Sequence, residues 1–233
     1  MSRLWPALPK PFPFDRKACM VTKIQQAPII LASRSPRRRD LLQQAGLKFE
    51  IIPSRFDEKL VSQDDPATCV QVLARTKAED IASHHPGNWV IGADTIVSIG
   101  REILGKPGNH AMARDMLRRL SGQTHQVLTG YSICCRSAGV AHTAVVMTDV
   151  TFKELSAEEI EWYIHTGEPF DKAGAYAIQG LGTFLVRRIN GSYTNVVGLP
   201  VCEVIEFLIE AGVVRIENVN GSQSVQNGPR HRA

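Results

Sequence analysis

Apolar and polar positions alternate along this chain with two periods, and the switches between them predict the elements. Ile29-Ile30-Leu31 is a short, fully apolar run of the kind found in buried strands. Ser35 then offers an N-cap and Pro36 a first helical position, and Gly46 ends the helix. Phe49–Pro53 reads as a second strand. Asp65-Pro66 opens a long helix to about His84, with Val70, Leu73, Ala74 and Ile81 on one stripe. Trp89–Ser98, a turn at Gly100 and Glu102–Leu104 predict a strand and its return. A helix is expected over Ala111–Leu120, followed by long strands at His125–Arg136 and Val140–Phe152. The capping box Ser156–Glu159 opens another helix, closed by Gly167. Thr183–Ile189 reads as a strand. The last helix starts near Pro200 and ends at Gly212, with Val201, Val204, Ile205, Leu208 and Ile209 on one face. The expected fold is mixed α/β (α+β): one domain over 27–212 with an extended, twisted mixed sheet flanked by helices. Residues 1–26, rich in proline, read as a flexible leader, with Met20 a second candidate start. Residues 213–233 read as a polar, disordered tail.

Composition changes this picture little. The 233 residues are 43% hydrophobic and 21% charged, an ordinary globular balance. No apolar run approaches the roughly 18 residues needed to span a bilayer. Charge says more. The chain carries a net +4, but residues 1–19 supply +3 and residues 217–233 supply +1, so the body is neutral. A protein that tracks a nucleic acid usually carries its excess in the folded part, so stable nucleic-acid binding is not expected. Five scattered cysteines without a CxxC pair argue against structural zinc and for a reducing compartment. Cys134 and Cys135 should face opposite sides of a strand. Prolines interrupt any N-terminal signal segment, and a cytoplasmic location is expected.

Four segments carry candidate chemistry. Ser33-Arg34-Ser35-Pro36-Arg37-Arg38-Arg39 lies between a strand and a helix N-terminus, where main-chain N–H groups and guanidinium forks suit phosphate. A solvated basic face or an RNA contact is the other reading. Lys77 falls on the apolar stripe of the long helix, so it either extends its amine to solvent or meets an anion in a cleft. Asp94 interrupts an apolar strand and needs a cation, a metal or several donors. Gly92 and Ala93 would leave room there for a ligand, and Lys106 could lie beside Asp94 across the hairpin. A turn aspartate at the strand end is the plain alternative. The small-residue stretch from Asp171 to Gly180 suits a binding loop, in which Gln179 can donate to and accept from a base edge. Glu58 could join Asp94 as an oxygen ligand for Mg²⁺ or Mn²⁺, or be an exposed loop acid. His125 has no visible partner. P-loop and GxGxxG patterns are absent, as is any covalent nucleophile with its base.

The ordered set Ser33-Arg-Ser-Pro-Arg-Arg38, Gly92-Ala-Asp-Thr95, Gly105-Lys-Pro107, His125-Gln-Val-Leu-Thr-Gly130, Asp171-Lys-Ala-Gly-Ala-Tyr176 with Gln179-Gly180, and Asn195-Val-Val-Gly-Leu-Pro200 resembles the Maf family. These are nucleoside triphosphate pyrophosphatases, historically described as septum-formation inhibitors, with an inosine-triphosphatase-like fold. The segment around Gln179 is similar to the subgroup acting on dTTP and UTP. The resemblance implies hydrolysis of dTTP and UTP to the monophosphate and pyrophosphate, extending to modified pyrimidine nucleotides. It implies Asp94 as proton acceptor, and Arg37, Thr95 and Gln179 as specificity positions. Phosphate or metal roles follow for Ser33, Arg38, Glu58, Lys77 and Lys106, with Mg²⁺ or Mn²⁺ as cofactor and a homodimer as the assembly. The rival class is a non-catalytic regulator of cell division that binds nucleotide or nucleic acid.

Overall fold

The computed structural model describes residues 21–57, 65–100 and 102–218. Nine strands are described: β1 (Val21–Gln25), β2 (Ile29–Leu31), β3 (Phe49–Ile51), β4 (Trp89–Ile99), β5 (Glu102–Leu104), β6 (Thr124–Cys135), β7 (Val140–Phe152), β8 (Val186–Asn190) and β9 (Val214–Asn218). The helices are α1 (Pro36–Gln44), α2 (Pro66–His84), α3 (His110–Leu120), α4 (Ala157–His165), α5 (Tyr193–Val197) and α6 (Val201–Glu210). The caps read from the sequence are present. Ser35 and Asp65 accept from main-chain N–H groups at the starts of α1 and α2, and Ser156 and Glu159 form the reciprocal capping box of α4.

Seven strands form one mixed sheet in the order β3-β2-β4-β6-β7-β8, with β5 added to β4. The three strands β3, β2 and β4 run parallel, and the rest pair antiparallel. Helix α2 packs on one face, while Leu41 and Leu42 of α1 and Val204 and Leu208 of α6 join the core on the other. A further core cluster gathers Leu117 and Leu120 of α3 with Ile160 and Ile164 of α4. Cys134 and Cys135 do face opposite ways, one packing beside Ala78 of α2 and the other beside Ile29 and Trp89.

Two glycines set how closely α2 lies on the sheet. A Cβ at Gly92 would stand 2.4 Å from the Ala74 carbonyl oxygen, and one at Gly130 would stand 2.2 Å from that of Val70. The space at Gly92, expected to admit a ligand, is therefore filled by helix backbone. Gly130→Ala should push α2 off the sheet and cost about 1–3 kcal/mol, the usual range for overpacking. Thermal denaturation would show a lower midpoint, whereas an unchanged one would contradict this close approach.

Two segments expected in the leader and the tail form strands. Val21–Gln25 and Val214–Asn218, placed in the leader and tail, pair antiparallel as a separate two-stranded sheet. Both segments are rich in β-branched residues, which favour strands, but their pairing joins the two ends of the chain and no local pattern announces it. The rest of the leader and tail lies outside the described residues. The expected strand at Thr183–Ile189 begins only at Val186, because Gly180–Leu185 winds into a 3-10 segment. No helix among the described residues is long and apolar enough to cross a membrane.

Candidate functional site

Strand β4 outruns its parallel neighbour. β2 pairs it only from Trp89 to Ile91, and β5 only from Val97 to Ile99, so the edge between them is left without a strand partner. This gap opens just past the carboxyl end of β2, whose two neighbours, β3 and β4, lie on opposite sides of it. Such a switch point is where open α/β sheets bind ligands. A cleft of about 900 Å³ occupies the position. It is lined by the β2–α1 turn, the middle of β4, the segment after β5, the segment after β3 and the stretch from Asp171 to Gln179. That volume suits a nucleotide-sized ligand.

Alternation along β4 distributes the polar groups. Gly92, Asp94 and Ile96 share the face covered by α2. On that face Lys77 Nζ donates to Asp94 Oδ1 at 2.6 Å, with side chains only 11% and 13% exposed. The buried lysine and the strand aspartate, separate anomalies in the sequence, answer each other. The partner expected from the hairpin, Lys106, instead stands exposed on the cleft wall and makes no ion pair among the described residues.

Thr95 points to the other face. Its hydroxyl accepts from Arg38 Nη2 at 3.0 Å and shares a hydrogen bond with Thr129 at 2.9 Å. Arg38 also donates from Nη1 to the Ala93 carbonyl at 2.9 Å and to Ser33 Oγ at 3.2 Å, and from Nε to the Gly198 carbonyl at 2.7 Å. Its guanidinium thus bonds to the open stretch of β4 and ties the β2–α1 turn to the α5 end. Gly198 has φ +127°, a left-handed-side conformation that suits glycine, and Thr95 Oγ1 lies 3.6 Å from where its Cβ would stand.

At the mouth, Arg37 Nη1 lies 3.3 Å from Asp171 Oδ2, and Lys172 Nζ lies 2.5 Å from Asp171 Oδ1. Burial opposes charge on Asp171. The hydrogen bond and charge of Lys172, with Arg37 beyond, nonetheless hold its carboxyl below the usual carboxylate range. The Arg37 pair is half-exposed and therefore weak, so an incoming phosphate can displace the carboxylate. Gln179, partly buried, lines the cleft beside these groups. The motifs carry no individual role in the sequence for Arg34, Arg55, Asp57, Asp171 or Lys172, all of which line the cleft. Among the described residues its lining carries seven Lys or Arg side chains against three Asp, an anion-seeking set inside a neutral body. Glu58 lies outside the described residues.

Below the cleft His125 has the partner the sequence hid. Its Nε2 is 2.8 Å from the Tyr176 hydroxyl, and its ring meets Phe152 and Tyr176 edge-on. Burial drives its pKa down from 6.5 to about 4, so the ring is neutral in the fold. The unfolded chain takes up the proton first. This contribution to stability is complete above pH 6.5 and fades as pH falls toward 4, by about 3 kcal/mol in all. Urea denaturation at pH 7 and pH 4.5 should show this loss, and His125→Gln should flatten it. An unaltered acid slope in that variant would contradict the assignment.

Comparison with known proteins agrees with the motifs. Residues 28–211 match the family described as Maf-like protein. A dTTP/UTP pyrophosphatase of Syntrophus aciditrophicus (strain SB) is 52% identical over 184 residues, covering 79% of this chain and 90% of the relative. A dTTP/UTP pyrophosphatase of Geotalea uraniireducens (strain Rf4) is 51% identical, covering 80% and 96%. Among solved structures, the Staphylococcus aureus Ham1 protein aligns with a TM-score of 0.46 at 13% identity, over 79% of this chain and 99% of that one. With the family match spanning most of its length and about half of the aligned residues shared with these relatives, the chain belongs to the Maf-like protein family.

Proposed function

We propose that this protein hydrolyses dTTP and UTP to the nucleoside monophosphate and pyrophosphate, and accepts modified pyrimidine triphosphates that fit the same cleft. The carrying observation is the Lys77–Asp94 pair set among the cations of the cleft. The names of the relatives supply the substrate, and the cleft supplies the means.

The triphosphate lies along the cationic wall. Arg37 and Lys106 bind its outer phosphates, Arg37 leaving Asp171 to do so. Ser33, Arg38 and the N–H groups at the start of α1 complete the cradle, with Arg38 acting chiefly through the turn and strand it joins. Gln179 reads the base edge and Thr95 fixes the wall beside it. Asp94 orients a water in line with the α-phosphorus and takes its proton. Lys77, already at the carboxylate, neutralises charge that develops as the α–β bridge breaks. The bond formed is water oxygen to α-phosphorus, and pyrophosphate departs with the bridging oxygen.

The donor set fits Mg²⁺ or Mn²⁺ of the substrate-borne kind, which uses one or two carboxylates and several phosphate oxygens. Asp94 is such a carboxylate, and Asp57 lines the same cleft. Among the described residues no group of three or more His, Cys, Asp or Glu could hold a metal without substrate. Asp94, with Glu58 as second ligand, would hold the ion, which would supply Lewis-acid neutralisation of the phosphate oxygens. Cytoplasmic work suits the five scattered cysteines without a CxxC pair, and a homodimer is the assembly proposed.

A panel of dTTP, UTP, CTP, GTP and 7-methyl-GTP, assayed for pyrophosphate with and without Mg²⁺ or Mn²⁺, tests this reading. The expected result is metal-dependent release with dTTP and UTP preferred by about tenfold or more, the weight of one matched hydrogen bond. Flat rates, or a preference for 7-methyl-GTP, would remove the pyrimidine assignment.

A further inference from the structure

Gln179 sits in irregular chain between two short 3-10 segments, Ala173–Ala175 and Gly180–Leu185. What fixes this stretch is a pair of side chains outside the cleft. Tyr163, fully buried at the end of α4, donates its hydroxyl hydrogen to Glu168 Oε1 at 2.8 Å. The same hydroxyl oxygen accepts from the Ala177 N–H at 3.2 Å. Glu168 Oε2 accepts from the Leu181 N–H at 2.9 Å, and Oε1 from that of Gly182 at 3.0 Å. The main chain is thereby pinned two residues before Gln179 and two and three residues after it. The fit is close. A Cβ at Gly180, where φ is +69°, would stand 2.7 Å from Glu168 Oε2, and one at Gly182 would stand 2.6 Å from the Tyr163 hydroxyl oxygen. Burial, and then the hydrogen bond to Glu168, push the Tyr163 phenol well above its ordinary pKa, so it stays a donor.

We propose that Tyr163 and Glu168 are positioning residues for Gln179, so that base selectivity depends on two side chains that do not touch the nucleotide. The proposal rests on the reading that Gln179 recognises the pyrimidine edge. Uracil presents an acceptor at O4 beside a donor at N3, and cytosine presents the reverse. An amide distinguishes them only if its position is held, because a displaced one matches neither.

The test uses the full-length protein and steady-state kinetics on UTP and CTP for wild type, Tyr163→Phe, Glu168→Gln and Gln179→Ala, with melting temperatures alongside. Tyr163→Phe keeps the ring in the core and removes the hydroxyl that bridges Ala177 and Glu168. Glu168→Gln turns an amide donor toward a main-chain donor. Each should raise KM for UTP about fivefold and lower the UTP-to-CTP ratio of kcat/KM about tenfold, the equivalent of one hydrogen bond, with kcat changing less than KM. Gln179→Ala should lower the ratio at least as far. A lower melting temperature with the wild-type ratio in Tyr163→Phe and Glu168→Gln would mean a purely structural role and overturn the proposal, provided Gln179→Ala collapses the ratio. If Gln179→Ala also leaves the ratio intact, the reading of Gln179 falls as well. Should Glu168→Gln fail to fold, the Tyr163→Phe ratio decides.

Discussion

Asp94→Asn should reduce kcat for UTP by about 10³-fold while the protein remains folded. Loss of a positioned general base commonly removes 10²–10⁴ in rate, and asparagine cannot take up the proton. Its amide oxygen can still accept from Lys77, which bonds to Oδ1 in the native site, so the local geometry has a means to persist. KM should change far less than kcat, because the outer phosphates are held by Arg37 and Lys106 rather than by the carboxylate. Pyrophosphate release and a melting curve measured on the same preparation separate the two effects. Near-wild-type turnover would remove Asp94 from the reaction.

Lys77→Met has the second largest expected effect and a different signature. Methionine replaces the stem of the lysine in the core of α2 but not its charge. The loss of one preorganised cation beside the phosphates should lower kcat/KM about 10²-fold. The carboxylate of Asp94, only 13% exposed, is also left without its ion partner. Breaking a buried pair from one side costs up to about 3 kcal/mol, so this variant should melt earlier than Asp94→Asn. The double variant Lys77→Met/Asp94→Asn removes both charges and should recover part of that stability but none of the activity. Additive losses of stability across the cycle would show that the two groups are not coupled.

Both residues were legible as anomalies. A lysine on an apolar helical stripe and an aspartate inside an apolar strand each demand a partner, and the sequence leaves two answers open for each. Their pairing was hidden, because it depends on how closely α2 approaches the sheet. Gly92 and Gly130 decide that distance, and a glycine in a strand does not reveal whether a ligand or a helix will use its space. Caps, helix lengths and the long β6–β7 hairpin were readable because local hydrogen bonding and periodicity govern them. The β1–β9 pair was not, since it joins strands nearly 200 residues apart in sequence. The start of β8 was misplaced for a related reason. Leu181 and Gly182 give their N–H groups to Glu168, and no pattern within 180–185 signals a side chain thirteen residues upstream. Arg38 stands out in the sequence by its place in an arginine run, whereas its bonds to Ser33, Ala93, Thr95 and Gly198, which join the β2–α1 turn, β4 and the end of α5, have no local signal.

The claim beneath these expectations is that water, aimed from the Asp94 side, attacks the innermost phosphorus of the triphosphate. Hydrolysis of UTP in water enriched in ¹⁸O tests it most directly, since the new oxygen stays on the phosphorus that was attacked. Mass spectrometry should find one ¹⁸O in UMP and none in pyrophosphate. Label in pyrophosphate would place the attack on the β-phosphorus, and release of inorganic phosphate with UDP would place it on the γ-phosphorus; either result contradicts the account.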